Sequence, residues 1–307
     1  MRSYFAGWLT NEAKKMNSIL VTGDLGFGVF EDFRKIHPER FINAGVAEQA
    51  MIGMASGLSM MFGRVFVYSI GNFASLRCLE QIRNDVAYMN SPVTIVSVGS
   101  GFAYGAQGYT HHAIEDISAL RAIPNLVLYS PADKNELKSV LSEIQESHSP
   151  SLLRLGRGGE PNIHDETHGL DISYPLEVAK GEDGYIFFSG PIGYEVIRAR
   201  KGLEVQGIFP SIYSCPRLSP NYNFFDIVKG EDSPPILVVE EHVRSGALMS
   251  SILESLVGKN INLSKFRHLS VNSEAIHELG NQEYLRKLHK IDSDSIIKEF
   301  SKLVDRP

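Results

Sequence analysis

Four clusters of residues in this sequence have the types and spacing to do chemistry. The first is Gly45-Val46-Ala47-Glu48-Gln49, which opens a stretch continuing Ala50-Met51-Ile52-Gly53-Met54-Ala55-Ser56-Gly57-Leu58. Small residues at 50, 53, 55, 56 and 57 permit close packing and predict a buried helix. A carboxylate in that setting is expected to be desolvated, which raises its pKa. A neutral or proton-sharing Glu48 could then hydrogen-bond a heterocyclic nitrogen; equally, a first-turn glutamate satisfies the helix dipole. The second cluster is the loop Gly99–His112, GSGFAYGAQGYTHH. Its glycines let backbone approach a ligand closely, and its two histidines stand at a helix start beside Glu115 and Asp116. Imidazoles there suit proton transfer or hydrogen bonds to sugar hydroxyls, and a surface turn with one capping histidine is the plainer alternative. The third is Phe73 with Arg77, where an aromatic just past a strand end either stacks on a planar ring or is core. The fourth is Arg154 and Arg157 at the exit of a strand, an anion-binding pair or a solvated linker.

One spacing misleads. His164-Asp165-Glu166-Thr167-His168 places two histidines four apart, but the zinc-helix pattern needs Glu directly after the first His, and this segment is rich in Gly and Pro. No metal site is expected there.

The composition narrows the classes. A chain of 307 residues, 43% hydrophobic and 21% charged, is large enough for two ordinary globular domains. Its net charge of −6 argues against a nucleic-acid binder. Cys78 and Cys215 lie far apart, so neither a disulfide framework nor a cysteine metal site is expected. The longest apolar runs, such as Val93–Val98, are too short to span a membrane, and Met1–Lys15 lacks the apolar core of a secretory signal. A cytoplasmic location without membrane partners is expected.

The elements that must position these clusters alternate from the start. Strands are predicted over Asn17–Thr22, Arg64–Ser69, Val93–Val98, Leu126–Tyr129 and Ser151–Leu155. Helices are predicted over Gly45–Met61, Phe73–Met89, Ala113–Ala122 and Lys134–Glu146. The run Gly156–Tyr174 reads as an interdomain linker. Strands at Tyr185–Ser189, Glu204–Ile208, Ile236–Glu240 and near Arg267–Val271 then follow, with helices at Gly193–Lys201, Gly246–Val257 and beyond to Val304. The fold class is α/β: two domains, each a mainly parallel sheet flanked by helices. The boundaries are 1–157, a linker 158–173, and 174–307. In open parallel sheets ligands sit at the carboxyl ends of strands, which points to Gly23–Gly28, Asn43–Gln49, Ser69–Phe73 and Gly99–His112.

These motifs together resemble the transketolase family of thiamine-diphosphate enzymes. Arg40–Gly57 (RFINAGVAEQAMIGMASG) is similar to the segment carrying the family's pyrimidine-ring glutamate. Ser69–Phe73 corresponds to its TFxxF motif, and Gly105–Ile123 to its GEDGxTHQ segment. Pro124–Asp133 and Pro150–Arg157 match in order and spacing, and Val239–Leu248 more loosely. The resemblance implies a pyrimidine-binding domain followed by a transketolase C-terminal-like domain. It implies that Glu48 bonds N1′ of the cofactor's aminopyrimidine, that Phe73 stacks on that ring, and that Asp24 and Ile70 help line its pocket. It further implies that His111 contacts the ketose donor, that His112 and Gln107 face the sugar, and that Arg157 binds a sugar phosphate.

The family's diphosphate-binding domain, with its GDG motif and downstream asparagine, has no counterpart in this sequence. The resemblance therefore implies the C-terminal subunit of a split transketolase that is active only with a separate N-terminal subunit. That partner would hold the diphosphate of thiamine diphosphate through Mg2+ (or Ca2+), in a 2+2 heterotetramer. The implied reaction transfers a two-carbon ketol unit from a ketose donor to an aldehyde or ketone sugar acceptor. Departures from the pattern point to an unusual sugar. Gln107 stands where the family has an aspartate, His112 where it has glutamine, Ile70 where it has an aromatic, and Gly99 and Gly28 where it places phosphate-binding histidine and serine. A modified or nucleotide-linked sugar is expected. The alternatives are a 2-oxo-acid dehydrogenase β subunit, a 1-deoxyxylulose-phosphate-synthase-like carboligase, and a non-catalytic assembly or regulatory subunit.

Overall fold

The computed structural model describes residues 1–165, 169–218, 224–228, 234–257 and 262–304. Strands β1 (Ser18–Thr22), β2 (Phe41–Asn43), β3 (Arg64–Ile70), β4 (Val93–Val98), β5 (Val127–Tyr129) and β6 (Ser151–Leu155) form a six-stranded sheet in the order β2-β1-β3-β4-β6-β5. Every pairing in it is parallel. β1, β4 and β6 are buried along their whole length, which is why β1 and β4 read as unbroken runs of apolar or small residues rather than alternating ones, while β6 carries the buried Arg154. One face carries Val21, Val67, Ile95 and Leu152; the other carries Leu20, Phe66, Val96 and Leu153.

A second sheet holds β7 (Leu176–Ala179), β8 (Tyr185–Phe188), β9 (Ser211–Ser214), β10 (Ile236–Val243) and β11 (Phe266–Val271), in the order β11-β10-β8-β9-β7. Only its edge strand β7 is antiparallel among the described strands. The two sheets share an apolar cluster: Ile117, Leu128 and Leu152 pack with Phe187, Cys215, Leu218, Leu248 and Ile252. Backbone bonds cross the same seam, from Val243 N to Ile114 O (2.8 Å), Ser130 N to Pro216 O (2.7 Å) and Leu218 N to Leu128 O (2.8 Å). Among the described residues no helix is long and apolar enough to cross a membrane.

Three predicted elements differ. The strand expected at Glu204–Ile208 is the end of the helix Gly193–Val205. Gly207 (φ +70°) closes that helix, with Ile208 N bonded to Leu203 O (3.0 Å) and Gly207 N to Glu204 O (3.0 Å). This is the Schellman termination, in which an apolar residue after glycine tucks back under the last turn. The long helix expected over Phe73–Met89 is broken into Gly71–Ala74, short turns at Leu76–Cys78 and Leu79–Gln81, and a π-helical turn Ile82–Ala87. The helix expected from Ala113 begins at Asp116, because Ala113 bridges to Gly101 across the loop.

The segment after β6 is tied down rather than loose. The Asp133 carboxylate caps the helix Lys134–Glu146, taking Asn135 N and Glu136 N on one oxygen, and holds Ile163 N (2.7 Å) and His164 N (2.8 Å) on the other. His164 Nε2 pairs with the buried Glu136 (2.8 Å). The histidine spacing there is thus explained by an ion pair; its second histidine, His168, lies outside the described residues. Burial alone would lower the His164 pKa, but the Glu136 carboxylate outweighs it and holds it above the usual value of 6.5. Charged His164 therefore stabilises the fold fully below about pH 6.5 and loses that contribution as pH rises through the raised folded value. We expect His164→Ala to lower the denaturant midpoint more at pH 6 than at pH 9; an equal loss at both would remove the ion pair from the account.

Candidate active site

In the first sheet the connection leaving β1 runs to β2 on one side, and that leaving β3 runs to β4 on the other. Such a reversal opens a crevice at the carboxyl ends of the strands. Asn43, the last residue of β2, clamps one wall. Its Oδ1 accepts from Asp24 N (3.1 Å) and Gly45 N (2.9 Å), and its Nδ2 donates to Asp24 Oδ1 (2.9 Å). Asp24 sits at φ +55° and Gly45 at φ +72°, so both turns need the clamp. No motif singles out Asn43; its place at a strand end is the one signal that could have found it.

Glu48 begins the helix Glu48–Leu58 and is only 3% exposed. Its Oε2 accepts from Arg77 Nη1 (2.7 Å), and its Oε1 has a longer bond from the Ser69 hydroxyl (3.3 Å). A Cβ on Gly23 would lie 3.5 Å from Oε1, so that glycine forms a close floor under the carboxylate. The Arg77 guanidinium also stands 4.2 Å above the centroid of the Phe73 ring. Phe73 in turn meets the His111 ring edge-on at 5.1 Å. Glu48, Arg77, Phe73 and His111 thus form one continuous series of contacts, with Phe73 and Arg77 four residues apart and on the same side. Ile70, the last residue of β3, borders this helix start and is partly buried. Cys78 lies behind it with its thiol pushed up to about 12 by burial and by the neighbouring Glu48 carboxylate, so it stays protonated at neutral pH.

The two loop histidines part company. His111 is half-buried at the crevice, its Nδ1 3.0 Å from the Thr110 hydroxyl. His112 is fully buried. Its Nε2 bonds Gly105 O (3.1 Å), its ring meets Phe102 edge-on at 5.1 Å, and burial lowers its pKa. This corrects the expectation that His112 faces a sugar: a ring enclosed within its own loop shapes that loop. Arg154 is corrected in the same way. It is 3% exposed and spends its guanidinium on Asp116 Oδ2 (2.9 Å) and Ala113 O (2.5 Å).

Gln107 and Arg157 are exposed and line a cleft of about 880 Å3 between the two sheets' domains, with Tyr104, Tyr194, Arg198 and Gln282. The Arg157 guanidinium lies 5.9 Å from the Tyr104 ring centroid. That ring also occupies the space a side chain at Gly99 (φ +93°) would need. The predicted residues therefore fall into two groups: Asp24, Glu48, Ile70, Phe73 and His111 around the crevice, and Gln107 with Arg157 in the cleft.

Residues 1–160 match the family model of the transketolase pyrimidine-binding domain. The chain belongs to the transketolase family. It is 34% identical over 304 residues to the putative transketolase C-terminal section of Methanocaldococcus jannaschii, covering 98% of this chain and 95% of the relative. A subunit of the apulose-4-phosphate transketolase of Phocaeicola vulgatus is 29% identical over 311 residues, with 99% and 97% covered. A solved split-gene transketolase, an inactive beta4 tetramer, superposes with a TM-score of 0.88 at 25% identity, covering 99% of this chain and 97% of that one. Transketolases depend on thiamine diphosphate, and this chain corresponds to their C-terminal section, the pyrimidine-binding fold followed by the C-terminal fold.

The crevice depends on one tight contact. A Cβ on Gly71 would come 2.7 Å from Ala113 Cβ, where the short helix carrying Phe73 meets the end of the histidine loop. Gly71→Ala should destabilise this transketolase chain by about 1–3 kcal/mol through overpacking. The double change Gly71→Ala/Ala113→Gly should recover part of it in denaturant melts; strictly additive losses would show that the two residues do not press on each other.

Proposed function

We propose that this chain works as the C-terminal subunit of a split, thiamine-diphosphate-dependent transketolase. Residues 1–157 would bind the cofactor's pyrimidine, 158–173 would link, and 174–307 would form the C-terminal domain. A separate subunit with the diphosphate-binding domain would hold Mg2+ (or Ca2+) and the diphosphate, in a 2+2 heterotetramer. The Phocaeicola relative is named as one subunit of its enzyme, and the structural neighbour as the product of a split gene; both support a partnered arrangement.

The observation that carries this reading is the convergence of a buried carboxylate, an aromatic face and an imidazole on the crevice beside β1 and β3. The residues fit an aminopyrimidine. Arg77 demonstrates that a flat group rich in N–H donors can lie on Phe73 while bonding Glu48. Thr22 Oγ1 at the end of β1 and Asn72 Oδ1 beside Phe73 are buried and have no hydrogen-bond partner among the described residues. When bound, thiamine diphosphate supplies the nucleophilic carbon and electron sink for ketol transfer. Glu48 would hold a proton against the ring nitrogen through Oε1, the oxygen with only the long Ser69 bond. Phe73 would orient the ring by stacking, with Ile70 lining its edge, and the Asn43 clamp would keep Asp24 closed over it. His111 would hold or move the proton of a donor hydroxyl.

Arg157 and Gln107 would receive the distal part of the sugar in the cleft, where Arg157 supplies charge for a phosphate. The glycines at 99 and 28 support a substrate gripped differently from pentose and heptulose phosphates, a modified or nucleotide-linked sugar. The Phocaeicola relative is named for apulose 4-phosphate, which supports diversity of substrate among these chains. The two-carbon unit would pass from a ketose donor to an aldehyde or ketone acceptor.

The test is reconstitution with the partner subunit. Glu48→Ala should lower turnover by about 10²–10⁴-fold, the usual worth of a positioned proton-transfer group, while co-elution with the partner is retained. Unchanged turnover would replace catalysis with an assembly role. Turnover of xylulose 5-phosphate and ribose 5-phosphate at ordinary transketolase rates would remove the unusual-sugar assignment alone.

A further inference from the structure

The glycines of the histidine loop are expected to leave room for a ligand. Most of that room is filled by the second domain. A Cβ on Gly101 (φ +62°) would stand 2.5 Å from both Cγ and Cδ of Glu241. One on Gly105 would stand 2.6 Å from Gly280 O, and one on Gly108 (φ +85°) 3.1 Å from Leu279 Cδ2. Phe102 N, between the first two, donates to Glu241 Oε1 (3.1 Å), and the Phe102 ring stacks on His289 at 4.8 Å and 11°.

Glu241 lies on β10 and is 5% exposed. Gln282 Nε2 donates to both its oxygens (3.0 and 3.1 Å) and Arg286 Nη2 to Oε2 (2.7 Å). The buried Arg286 is shared with Glu195 at 3.6 Å. The carboxylate is therefore fixed from its own domain before it takes the loop amide, which ties the loop to the second domain. From Phe102 the constraint passes through the edge-on His112 ring and its bond to Gly105 O, and His112 adjoins His111 in the chain.

We propose that Glu241 is a positioning residue for His111: the second domain moulds the loop 99–112 and so sets where that imidazole stands against Phe73. The consequence for turnover rests on His111 acting on substrate, as proposed above. The placement itself does not.

The test uses the full chain labelled at histidine ring carbons, with the His111 resonance assigned by His111→Gln. Phe73 stands 5.1 Å from His111, so its ring current marks the imidazole's position. His37, packed on Phe33 at 5.3 Å just before β2, is the control. Glu241→Ala should move the His111 resonance toward the free-histidine value and leave His37 unchanged. Should that variant misfold, Gly101→Ala retains both the carboxylate and the guanidinium and disturbs the same contact from the loop side, with the same expectation. In the complex with the partner, either change should lower kcat/KM for the ketose by about 10- to 100-fold, as a misplaced group does, with thiamine-diphosphate affinity within about twofold. An unmoved His111 in both variants, or His37 moving equally, overturns the proposal. A moved His111 in a complex with no ketol-transfer activity even before mutation keeps the positioning role and rejects the functional reading instead.

Discussion

A carboxylate cannot be kept at 3% exposure without a partner, and the needs of Glu48 organise the first domain's site. Its partner, Arg77, follows β3 on a chain that does not continue as a regular helix. Ser75 (φ −112°, ψ −83°) interrupts it, with its hydroxyl bonded back to Gly71 O (2.8 Å), and the next turns restart at a different angle. Residues four apart already share a face of a straight α-helix, so the pairing of Phe73 with Arg77 survives this break rather than depending on it. At the start of the same segment Gly71 packs closely on Ala113 at the end of the histidine loop. One buried carboxylate therefore draws Arg77 over Phe73, and Phe73 in turn meets His111.

The second domain completes the constraint from outside. Parallel strands leave their carboxyl ends to loops, and the fourteen-residue loop 99–112 is held internally by two short 3-10 turns and by backbone bonds to Ala113. The shared apolar cluster and the cross-seam backbone bonds place β10 beside this loop, and Glu241 converts that proximity into a specific bond. The same strand's neighbouring Glu240 caps the following helix through Leu248 N and Met249 N and pairs with His268, so adjacent acids on β10 serve opposite sides of the sheet. The alternation of a strand is enough to give one domain a core anchor and the other a loop anchor.

Much of this is legible in the residues. The elements Val93–Val98, Lys134–Glu146 and Ser151–Leu155 fall where periodicity and capping put them, because buried strands and an Asp-capped amphipathic helix write unambiguous patterns. Glu48, Phe73 and His111 are legible as motifs since each sits shortly after a strand or at the start of a helix. What the sequence hides is long-range. Glu241 stands 139 residues from Phe102, and nothing local distinguishes it from a solvated acid. His112 looks equivalent to His111 until the loop's fold turns one inward. The Glu204–Ile208 run carries two β-branched residues and so mimics a strand, while Gly207 between them is the residue that terminates the helix.

Gly99 and Tyr104 are best understood as a single feature. The Tyr104 ring lies where any side chain at 99 would project, and that same ring carries the Arg157 guanidinium. The absence of a side chain at position 99 thus seats an aromatic that stands beside a cation at the mouth of the cleft. A histidine restored at 99 would evict Tyr104 and with it the support of Arg157. The shape of the cleft mouth is then a coupled property of three residues on two strand ends, Gly99 and Tyr104 after β4 and Arg157 after β6.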